Sequence, residues 1–219
     1  MLDRFFADWL SRHPDIRMLL RNEYAPALLH RLIEGELDLI LAPVEVIEGI
    51  PNLIVERLTK GANVIVCRAG HPLLDEPEIT TAMLSEARWI SHSRESLLHR
   101  DTRMALAAVG VEYIDLPSFE SNSAGAVRTV LGNTDMLTVL PELIAAELVA
   151  GGGYAILPFE LPGPFRPFGY ITHAGRQAPA LRFFLDDLKV YLTDADRRAG
   201  AIRAAAFAAR RAEGRGDAA

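Results

Sequence analysis

The stretch from residue 28 to residue 43 constrains the fold of this chain more than any other part of the sequence. It begins with leucines and an isoleucine spaced three and four residues apart, which is the pattern of one face of a helix. Gly35 follows, and glycine adopts the left-handed backbone conformation that ends a helix at little cost. Residues 37–42 are then almost all apolar, as in a parallel strand covered on both faces. A helix that ends at a glycine and leads into a buried strand is typical of α/β proteins.

The remaining sequence repeats this alternation in two sets, separated by a change of composition at residues 68–72 and a proline-rich crossing at residues 158–167. Strands are predicted at residues 16–20, 37–42, 53–58, 63–67, 89–91, 113–116, 136–139 and 168–171. Helices are predicted at residues 2–12, 26–34, 81–86, 96–109, 123–131, 141–150 and 181–192. Such an alternation favours right-handed crossovers and a largely parallel sheet.

We therefore predict an α/β fold with two Rossmann-like subdomains. Subdomain I comprises residues 1–67 and 166–193, and subdomain II comprises residues 68–165. Residues 194–219 form a C-terminal tail that is rich in alanine and arginine, with a frayed helix and a disordered end. Cys67, Trp9 and Trp89 lie on apolar stripes and are predicted core residues.

The charge and the cysteine content argue against several classes of protein. The net charge of −6 argues against a chain that binds nucleic acid through a basic face of its own. A single cysteine excludes an internal disulfide and indicates a reducing compartment, so we expect a cytoplasmic protein without a signal peptide or membrane span. The six histidines lack metal-ligand spacing and the glycines at 151–153 lack the Lys-Ser/Thr of a phosphate loop, so we expect neither metal nor cofactor.

Four short motifs occur in the order and at the separations seen in one known family. They are the helix and following segment at residues 2–16, Gly35-Glu36-Leu37-Asp38 within residues 32–40, His71-Pro72-Leu73, and one stretch made of Glu120-Ser121-Asn122, residues 127–131 and Thr138-Val139-Leu140-Pro141. From residue 2 to about residue 192 the chain thereby resembles the effector-binding domain of LysR-type transcriptional regulators. The resemblance implies a fold like that of type II periplasmic binding proteins, in which a small metabolite binds in the cleft between two lobes to control transcription. The family's N-terminal winged helix-turn-helix, its linker helix and the first strand of its first lobe have no counterpart in this sequence.

Polar residues that follow predicted strands are the candidates for a ligand site, because ligands of open α/β sheets bind beyond the carboxyl ends of the strands. Free N–H groups at a helix N-terminus bind carboxylates, and an arginine adds a bidentate contact. Taken singly, these residues have equally good structural explanations, as helix caps or as solvated surface charges. By the resemblance they line the effector cleft. We predict that the ligand-binding set is Arg21, Asn22, Ser91, His92, Ser93, Asn122, Ser123 and Thr138.

The resemblance implies a sensor that is not an enzyme. His92 and Ser93 are adjacent on an extended segment and point to opposite faces, so they do not form a nucleophile and base pair. The expected partners are a small-molecule effector such as a carboxylate, further copies of the chain in a homodimer or higher homo-oligomer, and DNA only through the absent N-terminal domain. The alternative is a stand-alone cytoplasmic solute-binding or protein-interaction domain of the same fold.

Overall fold

The computed structural model describes residues 2–23, 25–44, 50–111, 118–175 and 177–216. Its helices are α1 (Asp3–Arg12), α2 (Ala25–Ile33), α3 (Thr81–Glu86), α4 (Leu97–Ala108), α5 (Ala124–Asn133), α6 (Glu142–Ala150) and α7 (Pro179–Gly216). Its strands are β1 (Leu39–Pro43), β2 (Leu53–Arg57), β3 (Asn63–Arg68), β4 (Arg88–Ser91), β5 (Phe119–Glu120), β6 (Met136–Pro141), β7 (Tyr154–Ile156) and β8 (Phe168–His173). The predicted strand at 113–116 lies outside the described residues.

The chain divides into two compact units. Unit 1 comprises Met1–Gly61 and Phe165–Arg197, and unit 2 comprises Ala62–Pro164 and Arg198–Ala219. The chain therefore passes from unit 1 to unit 2 before β3, whereas the sequence-based prediction assigned residues 63–67 to subdomain I. β3 belongs to unit 2 because its ladder hydrogen bonds go to β6 and β7.

Unit 1 is built on a three-stranded sheet with the order β1-β8-β2, in which β8 runs antiparallel to both neighbours. Successive side chains of a strand point to opposite faces, so the sheet separates two apolar cores. One core joins α1 to the first half of α7 through Trp9, Phe184 and Leu188. The other core packs Leu32 of α2 against Ile40 of β1. Both faces of this sheet are therefore covered.

Unit 2 is built on a five-stranded sheet with the order β5-β4-β6-β3-β7. β4 runs parallel to β5 and to β6, and β3 runs antiparallel to β6 and to β7. Alternate residues of β3 again serve two cores, with Ile65 on the side of α3 and α4 and Val66 on the side of α5 and α6. The parallel strands β5, β4 and β6 end at the same edge of the sheet, which is the edge that positions the candidate site.

The α/β class is confirmed, but the expectation of a largely parallel sheet is wrong, because both strand pairs of unit 1 and the pairs made by β3 are antiparallel. A strand covered on both faces has the same apolar sequence in either direction, so direction is set by where the chain re-enters the sheet. The predicted strand at 16–20 is also wrong, because this segment forms no ladder in the described structure. A strand requires a neighbouring strand for its backbone hydrogen bonds as well as an apolar sequence.

The C-terminal region is more regular than predicted, since the single helix α7 continues to Gly216. Ile202 and Ala206 pack against the core of unit 2, and Arg203 lies 3.7 Å from Glu160. Ile202 and Ala206 therefore belong to an apolar helix face that the predicted tail at 194–219 did not anticipate. None of the described helices combines the length and the apolarity that crossing a membrane requires.

Several local predictions are confirmed. Gly35 has a φ of 77° and its amide donates to the Leu32 carbonyl at 3.0 Å, as expected of a glycine that ends a helix. Trp9, Trp89 and Cys67 are buried. Burial raises the pKa of the Cys67 thiol to about 12, more than the nearby Arg68 charge lowers it.

Candidate functional site

Five of the predicted site residues lie at the edge of unit 2 where β4 and β5 end, and a sixth lies in the neighbouring strand β6. Ser91 is the last residue of β4 and pairs in register with Glu120, the last residue of β5. The Ser121 amide donates to the Ser91 carbonyl at 3.1 Å, which holds the loop before α5 against the end of β4. This edge carries Ser91, His92, Ser93, Asn122 and Ser123, with Thr138 inside the neighbouring strand β6.

Thr138 has no exposed surface, and its Oγ1 donates to the Ile90 carbonyl at 3.1 Å. This hydrogen bond links β6 to β4 one residue before Ser91. The hydroxyl proton is therefore used within the fold, and Thr138 fixes the end of β4 rather than presenting a donor to solvent.

The imidazole of His92 has a defined hydrogen-bonding state. Its Nε2 lies 3.2 Å from the Val139 carbonyl, and because a carbonyl only accepts, Nε2 carries the proton. Burial lowers the pKa of His92, with a smaller contribution in the same direction from His99, while the bond to Val139 opposes both. The ring is therefore neutral at pH 7, and its Nδ1 is an acceptor.

A contact that the sequence reasoning missed joins Ser91 to His99. The Ser91 Oγ lies 2.8 Å from His99 Nδ1 and also donates to the His92 carbonyl at 3.0 Å. Because the Ser91 hydroxyl gives its proton to the His92 carbonyl and Ser91 is only 3% exposed, this pair does not act as a nucleophile and base. Ser96 was the sequence feature from which the position of His99 could have been predicted. A serine that caps a helix places the residue three positions later, here His99, in the first helical turn.

The start of α5 supplies hydrogen-bond donors to the same edge. The Ser123 hydroxyl accepts from the Ala126 amide at 3.3 Å, which confirms the predicted N-cap. The amides of Ala124 and Gly125 precede the first intrahelical hydrogen bond, so they have no partner within the helix. Asn122 and Ser123 are exposed beside them. Together with the positive end of the helix dipole, these groups favour an anion.

One opposing charge lies at this edge. Glu120 is exposed at the end of β5, and its carboxylate lies 3.8 Å from the Arg94 guanidinium. The Glu120 carboxylate repels an anion at the start of α5, but the nearby Arg94 guanidinium offsets part of that repulsion. Within the described residues, no group of three or more His, Cys, Asp or Glu side chains is arranged to hold a metal ion.

Arg21 and Asn22 belong to unit 1 and are both exposed. Arg21 lines a cavity of about 460 Å³ on unit 1, hereafter the unit 1 cavity, whereas Asn22 does not line it. The unit 1 cavity is lined mainly by apolar side chains of α1, β1 and the segment 16–20. These two residues remain predicted ligand contacts.

Comparison with known proteins identifies the family. The family described as LysR substrate binding domain matches residues 1–192. The HTH-type transcriptional regulator GalR of Pseudomonas putida is 26% identical over 185 residues, which cover 84% of this chain and 46% of GalR. The chain thus spans about half the length of this curated relative.

Two solved structures show the same fold. The effector binding domain of QuiR in complex with shikimate has a TM-score of 0.62 at 17% identity, covering 89% of this chain and 91% of that domain. The CcmR regulatory domain of Synechocystis PCC6803 in complex with 2-PG has a TM-score of 0.63 at 21% identity, covering 88% of this chain and 89% of that domain. Both likenesses confirm the fold of the type II periplasmic binding proteins that the motifs implied. Because the family match extends over residues 1–192 of 219, the chain belongs to the LysR substrate binding domain family.

Proposed function

We propose that this domain senses a small hydroxylated carboxylic acid and thereby controls transcription. The observation that carries the proposal is the set of hydrogen-bonding groups at the ends of β4 and β5 in unit 2. The start of α5 offers amide and hydroxyl donors, and His92 offers a neutral ring with an acceptor nitrogen.

The two kinds of group fit two parts of one ligand. A carboxylate suits the unpaired amides of Ala124 and Gly125, with Ser123 and Asn122 beside them. A ligand hydroxyl suits His92 Nδ1, because an unprotonated imidazole nitrogen accepts a hydrogen bond and repels the lone pairs of a carboxylate. We propose that Ser93 completes the hydrogen bonds of this edge.

The relatives support the ligand class. QuiR was solved with shikimate, which is a hydroxylated cyclic carboxylic acid, and CcmR was solved with 2-PG. Both domains share the fold of this chain at identities below 25%, so the ligand of this chain is a proposal of chemical class and not of compound.

Regulation follows if the ligand has different affinities for two conformations of the domain, because binding then shifts their populations. We propose that the shift acts on DNA through a DNA-binding part outside these 219 residues, since the net charge of −6 is unfavourable for direct DNA contact. We also propose a cytoplasmic location, a homodimer or higher homo-oligomer, and binding without chemical conversion. The curated relatives are transcriptional regulators, which favours this proposal over a free-standing solute-binding protein.

A thermal-shift screen of the purified chain tests the proposal. Shikimate and a panel of hydroxylated and plain carboxylic acids are compared with matched alcohols and amines. A ligand that binds only the native state at 100 times its Kd adds about 2.7 kcal/mol to stability, which a melting curve resolves. A cooperative melt that no carboxylic acid shifts would contradict the proposed ligand class.

The double variant Asn122→Ala with Ser123→Ala tests the proposed site. We expect it to weaken binding of the best acid about tenfold or more, while costing about 1 kcal/mol of stability for the lost helix cap. The matched control is Thr80→Ala, because Thr80 caps α3 through an equally long hydrogen bond of 3.3 Å to the Met83 amide. A loss of melting temperature in both variants with unchanged affinity would show that Ser123 is only a cap.

A further inference from the structure

The part of α7 that belongs to unit 2 forms one wall of a pocket. Ile202, Ala205, Ala206 and Ala209 are spaced three and four residues apart, so they lie on one face of the helix. The opposite wall is made by β7 together with Val149 of α6, and the space between the walls is about 470 Å³, hereafter the α7 pocket. Three of the four helix side chains are alanines, which are too small to fill this space. The alanine-rich sequence of the helix is therefore the physical origin of the pocket.

The α7 pocket is remote from the candidate site of the same unit. The candidate site lies at the ends of β4 and β5, whereas β7 is the opposite edge strand of the sheet β5-β4-β6-β3-β7. Neighbouring strands lie about 4.8 Å apart, so four spacings place β7 about 19 Å from β5. None of the eight predicted ligand contacts, all of them described residues, lines the α7 pocket. A ligand in this pocket would therefore use a separate set of groups.

Arg210 carries the one charge among the described lining residues, four positions after Ala206 on the same helix. Its Nη2 donates to the Glu76 carbonyl at 2.8 Å, but its Nη1 is buried and has no hydrogen-bond partner among the described residues. Within the same residues, no carboxylate forms an ion pair with Arg210. A buried N–H of a charged group that lacks an acceptor costs free energy. The guanidinium therefore has both a charge and a donor that a ligand anion could satisfy.

The rest of the lining is apolar in character. Leu74, Ile156 and Pro158 add apolar side chains to those of the helix face. The Tyr154 hydroxyl donates to the Arg128 carbonyl at 2.9 Å, so its proton is used within the fold. An occupant of the α7 pocket thus needs an apolar body and a single negative end.

We propose that the α7 pocket is a second ligand site, which takes a small amphiphilic carboxylate with an unbranched apolar chain. The carboxylate pairs with Arg210, and the chain lies between the alanine face of α7 and β7. A pocket of this volume falls in the range that encloses small organic ligands. The ligand supplies the counter-ion that Arg210 lacks and the apolar contacts that the alanines do not make. It thereby fastens the second part of α7 to unit 2.

Titration calorimetry of the 219-residue chain with octanoate tests the proposal. The control probes are 1-octanol, which keeps the chain without the charge, and acetate, which keeps the charge without the chain. We expect saturable binding of octanoate at one site, about tenfold weaker binding of 1-octanol, and no measurable binding of acetate. Absence of octanoate binding, or equal binding of octanoate and either control probe, would overturn the proposal.

Removing the charge tests the role of Arg210. Arg210→Met keeps an unbranched side chain and should weaken octanoate binding about tenfold while leaving 1-octanol binding unchanged. Arg203→Met is the control, because Arg203 lies on the same helix, carries the same charge and is outside the pocket lining. Equal losses of octanoate affinity in the two variants would show a general effect of net charge and contradict the assignment.

Filling the pocket tests its location. Ala205→Phe places a large side chain in the lining and should abolish octanoate binding. Ala204→Phe is the matched control, since Ala204 is the preceding residue, is equally exposed by class and lies outside the lining. Octanoate affinity that is unchanged by Ala205→Phe, or reduced equally by both variants, would place the ligand elsewhere.

The second site and the proposed effector site are separable by experiment. The double variant Asn122→Ala with Ser123→Ala should leave octanoate affinity unchanged, because neither residue lines the α7 pocket. Bound octanoate should also slow hydrogen exchange in residues 202–210 and leave residues 124–127 unaffected. Loss of octanoate binding in the double variant, or protection confined to residues 124–127, would assign octanoate to the candidate site and overturn a second one.

Discussion

Thr138→Val replaces a buried hydroxyl with a methyl group of similar size and removes the hydrogen bond between β6 and β4. Thr138 has no exposed surface, and its Oγ1 donates to the Ile90 carbonyl at 3.1 Å. A buried hydrogen bond contributes about 1 kcal/mol net, and the carbonyl that loses this donor adds to the loss. The added methyl group recovers part of this by apolar burial. We expect the free energy of unfolding to fall by about 1–2 kcal/mol, and Tm by about 2–4 °C for each kcal/mol.

Urea unfolding followed by circular dichroism measures the loss, with Thr172→Val as the control. Thr172 is equally buried and donates to the Asp38 carbonyl at 2.9 Å in unit 1, so the two variants should cost similar stability. Only Thr138→Val should also weaken effector binding, because Thr138 holds the end of β4, where Ser91 lies and after which His92 follows. A loss below about 0.5 kcal/mol for Thr138→Val, or an affinity change equal to that of Thr172→Val, would refute this reasoning.

Three other perturbations test further parts of the structure. Gly169→Ala should lower the free energy of unfolding in urea by about 3 kcal/mol, because the added Cβ would lie 1.9 Å from the Glu56 carbonyl oxygen. Gly200→Ala is the control, since Gly200 has open space around it in α7, and it should raise the free energy of unfolding by about 0.5–1 kcal/mol. Burial lowers the pKa of folded His92, so its contribution to stability is complete above about pH 6.5 and is lost as the pH falls. His92→Gln should therefore reduce the difference between the free energies of unfolding at pH 7.5 and pH 5.5, and an unchanged difference would contradict the assigned shift. The Cys67 thiol should resist a colorimetric disulfide reagent at pH 8 until the chain is unfolded in guanidinium, since burial raises its pKa to about 12; rapid reaction of the native chain would argue against that burial.

Much of the local structure was predictable because it depends on residues close in sequence. The helix that ends at Gly35 follows from apolar spacing and from the freedom of glycine to adopt a positive φ. The Ser123 cap follows from the preference of a serine hydroxyl for the unpaired amides of a first helical turn. The family motifs placed these elements in the right fold, although they did not give the direction of individual strands.

The contacts of the candidate site were harder to predict. From the sequence, His92 and Ser93 were examined as a catalytic pair and rejected. The close contact is instead between Ser91, at the end of β4, and His99, in the first turn of α4. Thr138 was predicted as a ligand contact from its position near a strand end, and only the packing of β6 against β4 showed that its hydroxyl proton is used within the fold. Such contacts depend on how separate elements pack, since Ser91 ends β4 and His99 lies in α4, while Thr138 and Ile90 lie on different strands.

The sequence by itself determined the α/β class, the positions of most helices and strands, and the family, because periodicity, glycine stops and short motifs are local properties. Tertiary structure alone decided that β3 and β8 run antiparallel to their neighbours, since a fully buried strand has the same apolar pattern in either direction. It also decided that segment 16–20 is not a strand. An apolar segment becomes a strand only where another strand completes its backbone hydrogen bonds, and in unit 1 the adjacent position is a cavity.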